Sequence, residues 1–177
     1  DKMGQKVNPH GLRVGIIRNW DSRWFARDDL FGDLVVEDAK IRKFIKSKIA
    51  NAGIPKIEIE RTADRVRIIV HCARPGTVIG KGGAEIEKLR QSIEKLIKKP
   101  VALTIAEEKR IDLNAQLVAE RIALDLEKRI SFRRATRQAI DRAMKAGAKG
   151  IKTNVAGRLG GAEIARSEHY HEGTIPL

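Results

Sequence analysis

Cysteine, long apolar runs and acidic residues are all in short supply in this sequence, and each shortage closes off a class of protein. A single cysteine, Cys72, stands among 177 residues. It excludes an intrachain disulfide and any multi-cysteine zinc site, and it fits a reducing, cytoplasmic home. No apolar run reaches the roughly 18 residues that a membrane-spanning helix needs. No basic segment followed by an apolar one opens the chain as a secretion signal would. Asp and Glu number 23 against 36 Lys and Arg, a formal net charge of +13. That excess points to a polyanionic partner, either nucleic acid or an anionic membrane surface. Hydrophobic residues still make up 42%, enough for a core without disulfides, and the length suits one large or two small domains. Asp1 and Lys2 precede Met3 and read as a tag or processing remnant. Thr174–Leu177 end without a terminal feature, as a shortened chain would.

Residues 1–37 read as an arm. Over residues 3–34 no period is sustained; Val14–Ile17 is a short apolar run of strand type and the rest is extended. Helical spacing starts at about Val36 and runs to Ala52, with Ile41, Phe44, Ile45, Ile49 and Ala52 on one face. Gly53 and Pro55 end it. Ile57–Glu60 alternates and Val66–Val70 is β-branched, so two strands are expected around a turn at Asp64-Arg65. Thr77–Ile79 begins a short helical turn, Gly80–Gly83 interrupts it, and a helix continues to Lys99 with Ile86, Leu89, Ile93, Leu96 and Ile97 as its core face. Pro100 stops that helix and Val101–Ile105 is a third strand. Lys109–Asp112 marks a boundary. Beyond it, Asp112 is the expected N-cap of a helix from Leu113 to about Ile130, whose Leu117, Val118, Ile122, Leu124 and Leu126 span an arc wide enough to pack on two sides. A second helix from about Arg133 ends at Gly147. A strand through Ile151, Thr153 and Val155 follows, then a turn at Gly157–Gly161 and a return strand through Ile164 to Tyr170. The fold class is α+β, with residues 38–110 as one domain and 111–177 as a second, two-layer α/β domain.

Gly80-Lys81-Gly82-Gly83 lies between two helical segments. Glycines let a polyanion approach the backbone without a Cβ in the way, the following helix offers free N–H groups and a positive dipole end, and Lys81 adds a mobile charge. Arg74, Lys88 and Arg90 stand where they enlarge the positive region. A P-loop needs four residues between its glycines and then Lys with Ser or Thr. Here three residues separate Gly76 from Gly80, and Gly82 stands where the hydroxyl belongs. The dinucleotide fingerprint fails on spacing as well. A GxxG string by itself is weak evidence and is also what a tight turn between helices looks like. The order of elements decides: helix, two strands, short helix, GKGG, long helix and strand resembles a type II KH domain, in which such a loop clamps nucleic-acid backbone.

Longer motifs carry a narrower resemblance. Gly4-Gln5-Lys6-Val7-Asn8-Pro9 with Gly11-Leu12-Arg13, the loop Val78–Gly83, Phe132-Arg133-Arg134-Ala135, Gly147–Ile151 and Gly157–Arg166 together resemble the bacterial KH-containing small-subunit ribosomal protein family, the third in the universal numbering, over residues 3–177. The family continues past Leu177, with a last strand and a basic tail. The resemblance implies a structural protein of the small-subunit head that binds 16S-type rRNA, neighbours other small-subunit proteins and contacts mRNA where it enters, helping structured mRNA to open without an ATP site. It implies no catalytic residue, cofactor, metal, small-molecule substrate or membrane, and a cytoplasmic place on the ribosome. Carried onto this sequence, the KH loop is Gly80, Lys81, Gly82 and Gly83 with Arg74 and Lys88. The mRNA-facing residues are Arg133, Arg134, Arg137 and Lys145, and the rRNA-binding arm is Gln5, Lys6, Asn8 and Arg13.

Spacing alone leaves the arginines open between two roles. At 100° per residue Arg133 and Arg137 are neighbours, Arg134 flanks them, and Ala135, Ala139, Ile140 and Ala143 face away. Arginine forks suit phosphate, but a solvated face with Asp141 as partner fits equally well. Trp20 and Trp24, set among Arg18, Arg23 and Arg27, offer base stacking or, more in keeping with such positions, an anchor for the arm. The arm itself suits a segment that orders on RNA. His169, Tyr170 and His171 read as an exposed strand with one buried tyrosine, and Cys72 beside His71 as a buried structural thiol. A free-standing KH regulator or RNA-processing factor is the alternative reading; it needs neither the amino-terminal arm nor Gly157–Arg166. A lysine-dependent lyase is a third, for which no lysine is singled out by spacing.

Overall fold

The computed structural model describes residues 7–62 and 64–175, and the chain divides into two compact units, Asp1–Glu107 and Glu108–Leu177. In the first unit the elements are α1 (Pro9–Arg13), β1 (Ser22–Arg23), α2 (Asp28–Lys48), β2 (Lys56–Arg61), β3 (Val66–Cys72), α3 (Pro75–Ile79), α4 (Ala84–Ile97) and β4 (Val101–Glu107). The sheet order is β1-β2-β3-β4. β2 and β3 are antiparallel, while β1 runs parallel to β2 and β4 parallel to β3. The period-two pattern sends Ile57, Ile59, Val66, Ile68 and Val70 to one face. There they form a single core with Ile41 and Ile45 of α2 and Leu89, Ile93 and Ile97 of α4. The opposite face carries a lattice of charge: Glu58 pairs with Arg23, Lys56 and His71, and Glu60 with Arg23 and Arg67.

Several bounds differ from expectation. Val14–Ile17 is not a strand. The N–H groups of Ile16, Ile17 and Arg18 all turn back to the Arg13 carbonyl, leaving one isolated bridge between Val14 and Arg18 and Ile16 and Ile17 exposed. The arm is therefore not extended throughout: it holds a one-turn helix and a two-residue edge strand. α2 begins eight residues before Val36. Its first two turns bury no stripe, so periodicity missed them; Asp28 and Asp29 in the first turn complement the helix dipole, and Phe31 packs against Trp24 with ring centroids 5.4 Å apart. α2 ends at Lys48, and a 3-10 turn over Ala50–Ala52 closes on Gly53 at φ 65°. Lys98 takes a left-handed conformation and ends α4 before Pro100 is reached. Leu96, at the edge of the buried stripe, stays exposed rather than joining the core face.

The second unit holds α5 (Ala115–Glu127), α6 (Phe132–Lys145), β5 (Gly150–Gly157) and β6 (Arg166–Gly173), the two strands pairing antiparallel. Asp112 is not the N-cap. It sits in a 3-10 turn over Ile111–Leu113 and pairs with Arg121 at 3.3 Å, while Asn114 caps α5 by accepting from the Gln116 N–H at 3.1 Å. α5 packs on one side, through Leu117 and Ile122, and Leu124 is exposed. Ile164 is outside the return strand and exposed, because the ladder closes with Gly157 opposite Arg166 and leaves the intervening residues to a wide turn. Gly150 and Gly173 face each other across the far end of this hairpin. A Cβ on either would strike neighbouring backbone, Thr174 in one case and Lys149 in the other.

Candidate nucleic-acid interfaces

Three glycines with left-handed backbone shape the loop between α3 and α4. Gly80 ends α3 at φ 71°, Gly82 stands at φ 63° inside a single 3-10 turn, and Gly83 is the N-cap of α4 at φ 80°. Side chains are disfavoured at such angles. A Cβ on Gly80 would come within 2.5 Å of the Glu85 Cγ, whereas Gly82 has open space around it. Gly80 therefore shapes the turn, and Gly82 leaves bare backbone facing solvent. Lys81, Arg74 and Lys88 are exposed. The local charge is less one-sided than the sequence suggests. Glu85 and Glu87 occupy the first turn of α4 and take up the positive end of its dipole. Lys88 Nζ lies 3.4 Å from Glu85. Arg90 pairs with Glu87 and, at 2.5 Å, with Glu94, and its hydrogen bond holds the Glu87 carboxyl below its ordinary value. Arg90 is thus committed within its own helix and does not enlarge the positive region.

α6 presents a second basic face. It buries Ala135, Thr136, Ala139, Ile140 and Ala143 and exposes Arg133, Arg134, Arg137 and Lys145. The buried Thr136 hydroxyl donates to the Phe132 carbonyl at 2.8 Å, so that hydroxyl is not stranded under the helix. Asp141 does not neutralise this face: among the described residues none of the three arginines is in an ion pair. The Arg133 guanidinium instead rests over the Phe132 ring, 5.6 Å from its centroid.

In the arm, Gln5 and Lys6 lie outside the described residues. Asn8 is occupied structurally, its side chain accepting from the His10 N–H at 3.0 Å to cap α1. Arg13 is exposed in the last turn of that helix. The two tryptophans part company. Trp24 anchors the arm, its indole N–H donating to Asp38 at 2.8 Å, whereas Trp20 is 66% exposed.

Asp38 had no sequence signal, being one acid among many in a charged helix. It is buried and accepts from Ser22 Oγ at 2.9 Å, Trp24 Nε1 at 2.8 Å and both Nε and Nη2 of Arg61. Arg42 adds a clamp, donating to the Asp21 carbonyl at 3.1 Å and to Ser22 Oγ at 2.8 Å. These bonds hold Ser22–Trp24 against α2 and β2.

Cys72 is fully buried, and burial pushes its thiol up from the ordinary value. His71 points to the opposite face, 3.4 Å from Glu58. Tyr170 is half-buried between exposed His169 and His171. Among the described residues no group of three or more metal-binding side chains gathers, and no helix is long and apolar enough to cross a membrane.

Comparison with known proteins adds two family matches. Residues 40–113 match the KH domain family, and residues 122–177 match the family described as ribosomal protein S3, C-terminal domain. Relatives named small ribosomal subunit protein uS3 align over almost the whole chain. That of Clostridium novyi (strain NT) is 61% identical over 176 residues, covering 99% of this chain and 80% of its own length. That of Agathobacter rectalis is 61% identical over 175 residues, with the same two shares. That of Clostridioides difficile (strain 630) is 59% identical over 176 residues and is covered for 65% of its length.

Proposed function

The chain belongs to the small ribosomal subunit protein uS3 family, and from that premise we propose that it is a structural component of the small-subunit head that binds 16S-type rRNA and touches mRNA at its entrance. We assign residues 38–110 to the KH domain, 111–177 to the C-terminal domain and 1–37 to an arm on rRNA. Gly80, Lys81, Gly82, Gly83, Arg74 and Lys88 meet nucleic-acid backbone at the first domain. Arg133, Arg134, Arg137 and Lys145 meet mRNA at the second. Asn8, Arg13, Gln5 and Lys6 belong to the rRNA side. This role asks for positioned charge and no catalytic group.

One observation carries the mRNA part of the reading. Arg133, Arg134 and Arg137 project from α6 without an ion pair among the described residues, in a chain that has 23 acidic side chains to offer. Guanidinium forks bind phosphate in a bidentate way, and their spacing along one helix face suits a strand sliding past. Replacing Arg133, Arg134 and Arg137 together by Ala tests it. For the free protein on single-stranded RNA, three lost phosphate contacts lower the log–log salt slope by about 2. In reconstituted ribosomes the variant enters subunits normally but translates a hairpin-bearing message more slowly than an unstructured one. Equal slowing on both messages would defeat the proposal for this helix. Sedimentation of the wild-type chain apart from small subunits in a high-magnesium gradient would defeat the ribosomal reading as a whole.

A further inference from the structure

Beside the arginine face of α6 lies a cleft of about 600 Å³, within the roughly 300–1,000 Å³ of small-molecule sites. Its walls differ in chemistry. Arg133, Arg134 and Arg137 supply cations, Tyr170 of β6 supplies an aromatic ring, and Asp141 and Glu172 supply carboxylates. Tyr170 is half-buried, and its backbone is fixed opposite Thr153 in the ladder. Although three guanidinium groups share this cleft with two carboxylates, none of the five is in an ion pair among the described residues.

That mixture is poorly suited to a bare phosphate, which Asp141 and Glu172 would repel. It suits a nucleotide. The phosphate meets the arginines, a base presents its π-face to an aromatic side chain, and its amino or imino N–H groups find carboxylate acceptors. We infer that the cleft holds one nucleotide of single-stranded RNA, with its phosphate on Arg133, Arg134 and Arg137, its base against Tyr170, and its donor edge toward Asp141 or Glu172. This rests on α6 facing RNA and extends that reading. The arginines hold backbone regardless of pairing, whereas the cleft accepts only a base whose face and edge are free, so it favours strands already opened.

The intact chain is titrated with two fluorescein-labelled RNA hexamers of equal charge, one with bases and one abasic. The base-bearing hexamer is expected to bind about tenfold more tightly, in line with one base stacked on an aromatic side chain. Tyr170→Leu removes that preference without changing affinity for the abasic hexamer, and Tyr170→Phe keeps it. A hexamer carrying 4-thiouridine crosslinks, in the wild-type protein, to the peptide spanning Arg166–Gly173; this measurement decides the matter if Tyr170→Leu does not fold. Equal wild-type affinity for the two hexamers, a preference that survives Tyr170→Leu, or crosslinks elsewhere only would each overturn the inference. The arginine face is judged separately. Loss of abasic binding in the Arg133, Arg134, Arg137 triple Ala variant upholds it even if the base preference is absent, and unchanged binding sinks both.

Discussion

Replacing Asp38 by Ala strips the anchor that holds Ser22–Trp24 of the arm against α2 and β2. Asp38 and Arg61 have side chains 7% and 6% exposed, so the change leaves a guanidinium buried beside a hole. Removing one partner of a buried ion pair costs about 3–5 kcal/mol. Glu37 still pairs with Arg61 at 2.7 Å, which keeps the loss near the bottom of that range. Ser22 Oγ and Trp24 Nε1 also lose their acceptor; both residues are half-buried, so water replaces part of it and they add about 1 kcal/mol together. The expected total is about 3–4 kcal/mol, a large share of the roughly 5–15 kcal/mol that holds a domain together. Urea unfolding followed by tryptophan fluorescence measures it as a lower midpoint. Hydrogen exchange supplies the local readout, because the Ile59 amide donates to the Asp21 carbonyl at 2.9 Å and should lose protection along with Ser22 and Arg23. A loss below about 1 kcal/mol with unchanged exchange at these amides would refute the idea that Asp38 docks the arm.

Three further outcomes are expected. Gly82→Ala and Gly82→Asp both place a side chain at φ 63° in open space, a strain of about 1–2 kcal/mol, but only Asp adds a charge that repels phosphate. Asp should therefore weaken RNA binding beyond Ala by filter assay, and equal effects would mean that the loop backbone does not meet RNA. Burial alone raises the Glu58 carboxyl, but the hydrogen bond and charge of Lys56 with the charges of Arg23 and His71 outweigh it and hold the group below its ordinary 4.5. Its contribution to stability is thus present above about pH 4.5 and lost as pH falls through the lower folded value. Glu58→Gln should flatten the acid limb of a thermal-melting profile, and an unchanged limb would contradict the pairing. The buried Cys72 thiol, 0% exposed, should react with an aromatic disulfide reagent only on unfolding, with rate tracking urea concentration; fast labelling in buffer would show that the core opens there.

How much was legible follows from which interactions are local. Ile57, Ile59, Val66, Ile68 and Val70 announce their strands because burial on one face repeats every second residue, and Leu89, Ile93 and Ile97 announce α4 by helical spacing. The alanine face of α6, with arginines opposite, was readable for the same reason. The first turns of α2 were not, since they bury no stripe and are held by dipole and by the Trp24–Phe31 contact. Asn114 displaced Asp112 as a cap because two adequate capping residues stood close together and only the backbone path chooses between them.

The sequence by itself determined the charge excess, the element order, the glycine loop and the motifs that identify the family, all properties of neighbours along the chain. Tertiary structure alone decided which charges remain free. Asp38, Arg61 and Arg42 are consumed in docking the arm, each through partners more than ten residues away along the chain. Arg133, Arg134 and Arg137 are in no ion pair among the described residues and share a cleft with Tyr170. Pairing depends on which side chains distant segments bring within a few ångströms, since an interaction between charges falls with distance and is screened by water, and no count of lysines and arginines contains that information.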